Sequence, residues 1–197
     1  MTHHLQLHQL LPAVFSILLH SALPPSHATH LRTTAAQILA HLLTHYSMTY
    51  PGLPVKIVKM LIVGLIEPKK SRATNEGAVR GLMAIGKEAV RLGLVERQGA
   101  KLVGEKCMPG ESSQLVELIM VRPQCIHPVH VLTHLQESFR MLHPPSARPV
   151  PLDPNSGADQ AVIEKLHAQL GDFFAERIVG DAAWARGILS DDVSTML

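Results

Sequence analysis

The sequence predicts an all-α fold of stacked antiparallel helix pairs, and three observations point to it. The chain of 197 residues is 46 % hydrophobic but only 4 % aromatic, and its apolar stock is mostly Leu, Val, Ala and Ile. That composition suits helices packed through aliphatic ridges better than a β-sandwich, which spends Tyr, Phe and Trp on its strands. Second, apolar residues recur at intervals of three and four through most of the first half, the spacing of one helix face. Third, the helix midpoints near Pro12, Ile38, Met60 and Leu82 lie about 22 to 26 residues apart, so that a pair occupies roughly 45, the period of two-helix solenoid repeats.

The elements follow in order. Leu5 to Leu19 is dense enough in apolar residues for a buried helix, with Pro12 opening a second piece or kinking the first. Pro24-Pro25-Ser26 is a stop. His30 to Tyr46 carries Leu31, Ala35, Ile38, Leu39 and Leu42 at helical spacing, with Thr29 as the expected N-cap. Leu53 to Ile66 is the third helix, with Pro54 at a permitted first-turn position. Thr74 to Leu94 is the central stretch. Its apolar stripe of Val79, Leu82, Met83, Gly86 and Val90 is flanked by small residues that admit a neighbouring backbone, and a pause is expected at Gly86. Arg80, Lys87 and Arg91 read as an outward basic edge of the same helix.

Further helices are expected over Val95 to Glu105, Ser112 to Met120 and Pro128 to Met141, with breaks at Arg122-Pro123 and His127-Pro128. The predicted repeat domain thus runs from Leu5 to about Leu142. Residues 143–157, with five prolines in fifteen positions, read as an extended, mobile linker. A C-terminal helical segment over 158–189 opens with one amphipathic helix, Ala158 to Val179, and Trp184 anchors a closing turn. Residues 190–197 are expected to fray.

Charge is spread unevenly. Lys56 to Lys106 holds eleven Lys/Arg against five acids, whereas Asp153 to Leu197 holds three against eight. Lys69, Lys70, Arg72, Arg80, Lys87 and Arg91 therefore offer an interaction surface for an acidic protein or a DNA backbone, with an ordinary solvated face as the default. Two cysteines are too few for a disulfide scaffold and fit a reducing compartment. The apolar N-terminus lacks the basic region of a signal peptide, and no run is long and clean enough to span a bilayer.

Catalytic patterns fail on inspection. Gly81 to Lys87 fills the first seven places of a phosphate-binding loop, but the eighth is Glu88, whose charge repels phosphate where Ser or Thr should hold Mg²⁺. The preceding residues continue a helix rather than a buried strand. No G-x-S-x-G or dinucleotide-binding fingerprint occurs, and the carboxylates are scattered rather than paired. Cys107, Cys125, His127 and His130 offer the donors of a structural zinc site, but no C-x-x-C or H-E-x-x-H accompanies them, and solvated helix histidines are the simpler reading. No cofactor is expected.

Leu7-His8-Gln9-Leu10-Leu11-Pro12 before an apolar helix, Leu31-Arg32 opening a helix that ends in Thr44-His45-Tyr46, and Gly77-Ala78-Val79-Arg80-Gly81-Leu82 followed by Ile85-Gly86 and Val90-Arg91 occur in one order and spacing. This pattern, from about Leu5 to Leu94, resembles the C-terminal HEAT-repeat domain of the TBP-associated factor subunit six family. Glu76 stands where the family often has an aromatic. The resemblance implies a HEAT-like helical solenoid and a nuclear, non-catalytic scaffold subunit of TFIID, and in fungi also of SAGA. Its implied partners are other subunits of those complexes. Family members pair through an N-terminal histone fold, which is not assigned to this chain. The alternative reading of another class is a helical-repeat adaptor unrelated to transcription.

Overall fold

The structure, a computed structural model, describes residues 2–107 and 126–190, with side chains over 7–24, 26–106 and 131–190. Among these residues every regular element is helical. The first pair is α1 (Thr2–Leu19) and α2 (Pro25–Tyr46), and the second is α3 (Leu53–Ile66) and α4 (Arg72–Ile85). Then come the short α5 (Lys87–Val90), a π-helical segment Arg91–Glu96, and α6 (Gly99–Cys107). After the gap follow α7 (Ile126–Leu142), α8 (Gly157–Leu170), α9 (Asp172–Ile178) and α10 (Ala182–Leu189).

Leu7, Val14 and Leu18 of α1 and Ala35, Leu39 and Leu42 of α2 are spaced to fall on one face each, and all are buried. Between them and α3 lies α4, which packs on α1, α2, α3 and α7. Thr74 to Val79, Gly81 and Leu82 are all buried, so α4 has no solvated side over that length. A helix this enclosed needs small residues where its neighbours cross. At Gly77 a Cβ would overlap the Leu18 carbonyl oxygen, and at Gly81 it would stand 2.9 Å from Leu61 Cδ2 and 3.0 Å from Leu18 Cδ2. Gly86 is different. Nothing lies within 4 Å of its Cβ position, but its φ of 137° falls in a region open mainly to glycine, and that conformation ends α4. Gly86 therefore serves the chain's direction rather than close packing between repeats.

Several boundaries differ from the expectation. Pro12 sits inside one continuous α1; its ring is exposed, and only the hydrogen bond to the preceding turn is forgone. Helix α2 starts at Pro25 rather than after Thr29, because proline is preorganised for a first turn. Pro128 likewise lies in the first turn of α7 instead of breaking the chain. The long helix expected over Ala158 to Val179 is split at Gly171, whose φ is 77°. The helix expected over Ser112 to Met120, the break at Arg122-Pro123 and the fraying tail over 191–197 fall outside the described residues.

The proline-rich segment is irregular but tied down. Val150 O accepts from Ala182 N at 2.7 Å, and Leu152 N donates to Val179 O at 2.9 Å while the Leu152 side chain is buried. Asp181 caps α10 by accepting from Trp184 N at 3.0 Å, and its carboxylate also holds Ser146 through both backbone N–H (2.6 Å) and hydroxyl (2.8 Å). Helices α8 to α10 share one hydrophobic core with the N-terminal helices. At that junction Phe139 of α7 meets Phe174 of α9 edge to face, centroids 5.2 Å apart. The repeat helices and the C-terminal helical segment thus share one hydrophobic core.

Candidate functional site: a buried ionic node and the basic surface beside it

The first turn of α4 is polar yet enclosed. Ser71 caps it, its Oγ accepting from Thr74 N at 3.1 Å. Thr74 Oγ1 donates to Leu19 O at 3.0 Å, and Asn75 Nδ2 donates to Gly64 O (3.0 Å) and Leu65 O (2.9 Å). Two consecutive side chains thereby satisfy carbonyls at the C-terminal ends of α1 and α3, which no helix satisfies internally. The third, Glu76, accepts from Arg32 Nη1 of α2 at 3.4 Å and from Arg80 Nε at 3.1 Å. Arg32 also donates to His20 O at 2.9 Å, and Arg80 to Thr33 Oγ1 at 2.6 Å. Burial pulls the Arg32 guanidinium below its usual pKa, Glu76 pulls it back up, and Arg80 adds to the lowering. Arginine nonetheless keeps its proton. One carboxylate therefore serves two guanidiniums in a node that joins α2 to α4 and the end of α1.

The six basic residues expected to form one surface do not lie together. Lys69 and Lys70 are exposed on the loop before α4, and Lys70 pairs with Glu67 at 3.3 Å. Arg72 is exposed and donates to Lys106 O at 2.8 Å, while Lys106 Nζ donates to Glu67 O at 3.1 Å, which fastens the loop to α6. Lys87 is exposed. Arg80 and Arg91 are not outward-facing. The Arg80 side chain is only 10 % exposed, because α4 is surrounded and its charge is absorbed by Glu76. Arg91 is buried in the π-helical segment, where Nη1 donates to Ile188 O at 3.3 Å and to Ser190 O, closing the C-terminal end of α10. Arg91→Ala is accordingly expected to cost about 1–3 kcal/mol through the carbonyls it leaves buried. Lys87→Ala should stay within about 0.5 kcal/mol of the parent. Urea titrations followed by circular dichroism measure both.

Sequence reasoning missed Lys56 and Lys59, which stand exposed on α3, and it missed Glu76 as an anchor. The signal for Glu76 was present: Arg80 lies four residues on, the spacing of a helix ion pair. Beside the node, an open cleft of about 510 Å³ is bordered by Leu19, His20, Met60, Val63, Lys69 and Lys70. Among the described residues no group of three or more His, Cys, Asp or Glu could hold a metal ion. The proposed zinc donors Cys107, Cys125, His127 and His130 have side chains outside the described set.

Residues 2–98 match the family model described as the TAF6 C-terminal HEAT repeat domain. That stretch, just under half of the chain, is similar to TAF6 C-terminal HEAT-repeat domains. Over 89 residues the chain is also 34 % identical to a protein of Arabidopsis thaliana named Transcription initiation factor TFIID subunit 6, an alignment covering 44 % of this chain and 16 % of that protein. No solved structure matches the chain. The chain therefore spans about a sixth of the length of that relative.

The whole node of Arg32, Glu76 and Arg80 lies inside the TAF6-type HEAT region, whereas α7 to α10 lie beyond it. His134 of α7 bears on the node from outside. Burial pushes its imidazole below the ordinary value, Arg80 pushes the same way, and the 3.1 Å contact with Glu137 and the nearby charge of Glu76 only partly oppose them. Since the unfolded chain takes up this proton near pH 6.5 and the folded chain resists it, the stability contribution is complete above that pH. It is lost as pH falls from there towards the lower folded value. His134→Gln should melt with a shallower acid-side decline than the parent, which thermal unfolding between about pH 7 and pH 5 measures.

Proposed function

We propose that this chain acts as a non-catalytic scaffold within the transcription-initiation machinery, as a subunit of TFIID and also of SAGA, in the nucleus. The observation that carries the reading is the family match over residues 2–98, supported by the similarity to a protein named as a TFIID subunit. The mechanism is geometric. Helices locked by the Glu76 node and by close packing around α4 hold loops and exposed helix faces in fixed relative positions, where other subunits dock during preinitiation-complex assembly. No helix among the described residues is long and apolar enough to cross a membrane. The test is affinity purification of the tagged chain from nuclear extract with mass spectrometry of what co-elutes. Enrichment of TFIID or SAGA subunits is the expected result; recovery with none of them rejects the reading.

A further inference from the structure

We propose that the outer face of α3, with the Lys69–Lys70 loop, is a docking surface for an acidic segment of a partner protein that carries apolar anchors. The partner's being a protein rests on the scaffold reading; its chemistry comes from the surface itself. Helix α3 buries Ile57, Leu61 and Leu65, so its other side is free of intramolecular packing. On that side Lys56, Lys59, Met60 and Val63 are spaced three and four apart and exposed, Met60 by 50 % and Val63 by 52 %. Met60 and Val63 also border the cleft, together with Leu19, His20, Lys69 and Lys70.

The charge around these apolar groups is mostly positive, with Glu67 the acid nearest in sequence. None of the residues bordering the cleft is an acid. Lys56, Lys59 and Lys69 have no carboxylate partner among the described residues, and Lys70 has only the exposed Glu67, a kind of pair that contributes little. Lys56 and Lys59 stand one turn before Met60 and Val63 on α3, Lys69 and Lys70 border the cleft, and this set matches a segment whose carboxylates alternate with apolar side chains. Carboxylates would meet the ammonium groups, and one or two apolar side chains would fill the cleft against Met60, whose flexible thioether adapts to varied shapes. A nucleic-acid backbone fits less well, because its phosphates would engage the lysines while leaving Met60 and Val63 against charge, and the cleft lining holds no Phe, Tyr or Trp on which a base could stack.

The test selects short random peptides, displayed on phage, against the intact chain, then measures the selected peptides by fluorescence anisotropy. Binding is compared with the triple variant Lys56→Glu/Lys59→Glu/Lys69→Glu and with the milder Lys56→Gln/Lys59→Gln/Lys69→Gln, which guards against a folding defect. Expected are peptides rich in Asp and Glu with apolar residues three or four apart, bound at least about tenfold more weakly by the charge-reversed chain. Met60→Ser/Val63→Ser should weaken them too, with circular dichroism unchanged. A selection without acidic bias, binding indifferent to the lysine changes, or a short DNA duplex bound more tightly than any peptide and released by the same variants overturns the proposal. Co-purification separates this outcome from the scaffold reading. TFIID subunits recovered equally by wild type and triple variant would spare the scaffold and reject this surface, whereas acidic peptides without TFIID subunits would do the reverse.

Discussion

Glutamine in place of Glu76 is expected to destabilise the fold by about 3–5 kcal/mol, the cost of removing one partner from a buried ion pair. Arg32 is 2 % exposed, so water cannot take over the charge that the carboxylate now neutralises. With the anion gone, two guanidiniums face each other across the gap between α2 and α4. The measurement is urea unfolding followed by circular dichroism. Its companion is the triple variant Arg32→Met/Glu76→Leu/Arg80→Met, which replaces the whole node with apolar groups of comparable bulk and should recover most of the loss. A Glu76→Gln chain as stable as the parent would mean that the node does not hold the helices together.

Alanine at Gly77 is the second large effect. Helix propensity alone favours the change by roughly 0.5–1 kcal/mol. Against it stands the overlap of the new Cβ with the Leu18 carbonyl oxygen, a backbone atom that can yield only if α1 moves. Overpacking of this kind costs about 1–3 kcal/mol and sometimes more, so the net expectation is a loss. Gly81→Ala is the internal control, because there the Cβ meets the ends of the Leu61 and Leu18 side chains, which can turn aside. Gly81→Leu should overpack as well. Thermal unfolding should rank Gly77→Ala clearly below Gly81→Ala; the opposite order would mean that α1 and α4 do not cross at Gly77.

Much of the fold was legible because a helix with one buried face writes that face into its spacing. Leu53–Ile66 emerged with the predicted ends, and the pause at Gly86 was readable from glycine itself. Periodicity failed where a helix is buried all round. In α4 the polar residues do not mark a solvated edge, so Arg80 looked outward when its partner Glu76 lies one turn away and both face α2. Arg91 misled for a related reason: its acceptors are backbone carbonyls nearly a hundred positions later, which no local pattern announces. The proline-rich segment is free of helix, as its composition implied, but its anchorage depends on Asp181, thirty-five residues beyond Ser146. Of the candidate surface, the Lys69–Lys70–Arg72 run was visible as charge density, whereas Lys56 and Lys59 stand singly among apolar residues, where no run of charge marks them.

The bond from Arg91 to Ile188 and Ser190 bears on how the protein can come apart. In a repeat array whose units touch only their neighbours, an end can peel away while the middle stays folded. Here the last helix is stitched to a side chain that belongs to the segment following α4. Loosening the C-terminal end strips a buried cation of its acceptors near the centre, so damage at either place is felt at the other. Such a chain resists being shortened one repeat at a time, and its loss of structure is shared between the ends rather than confined to one.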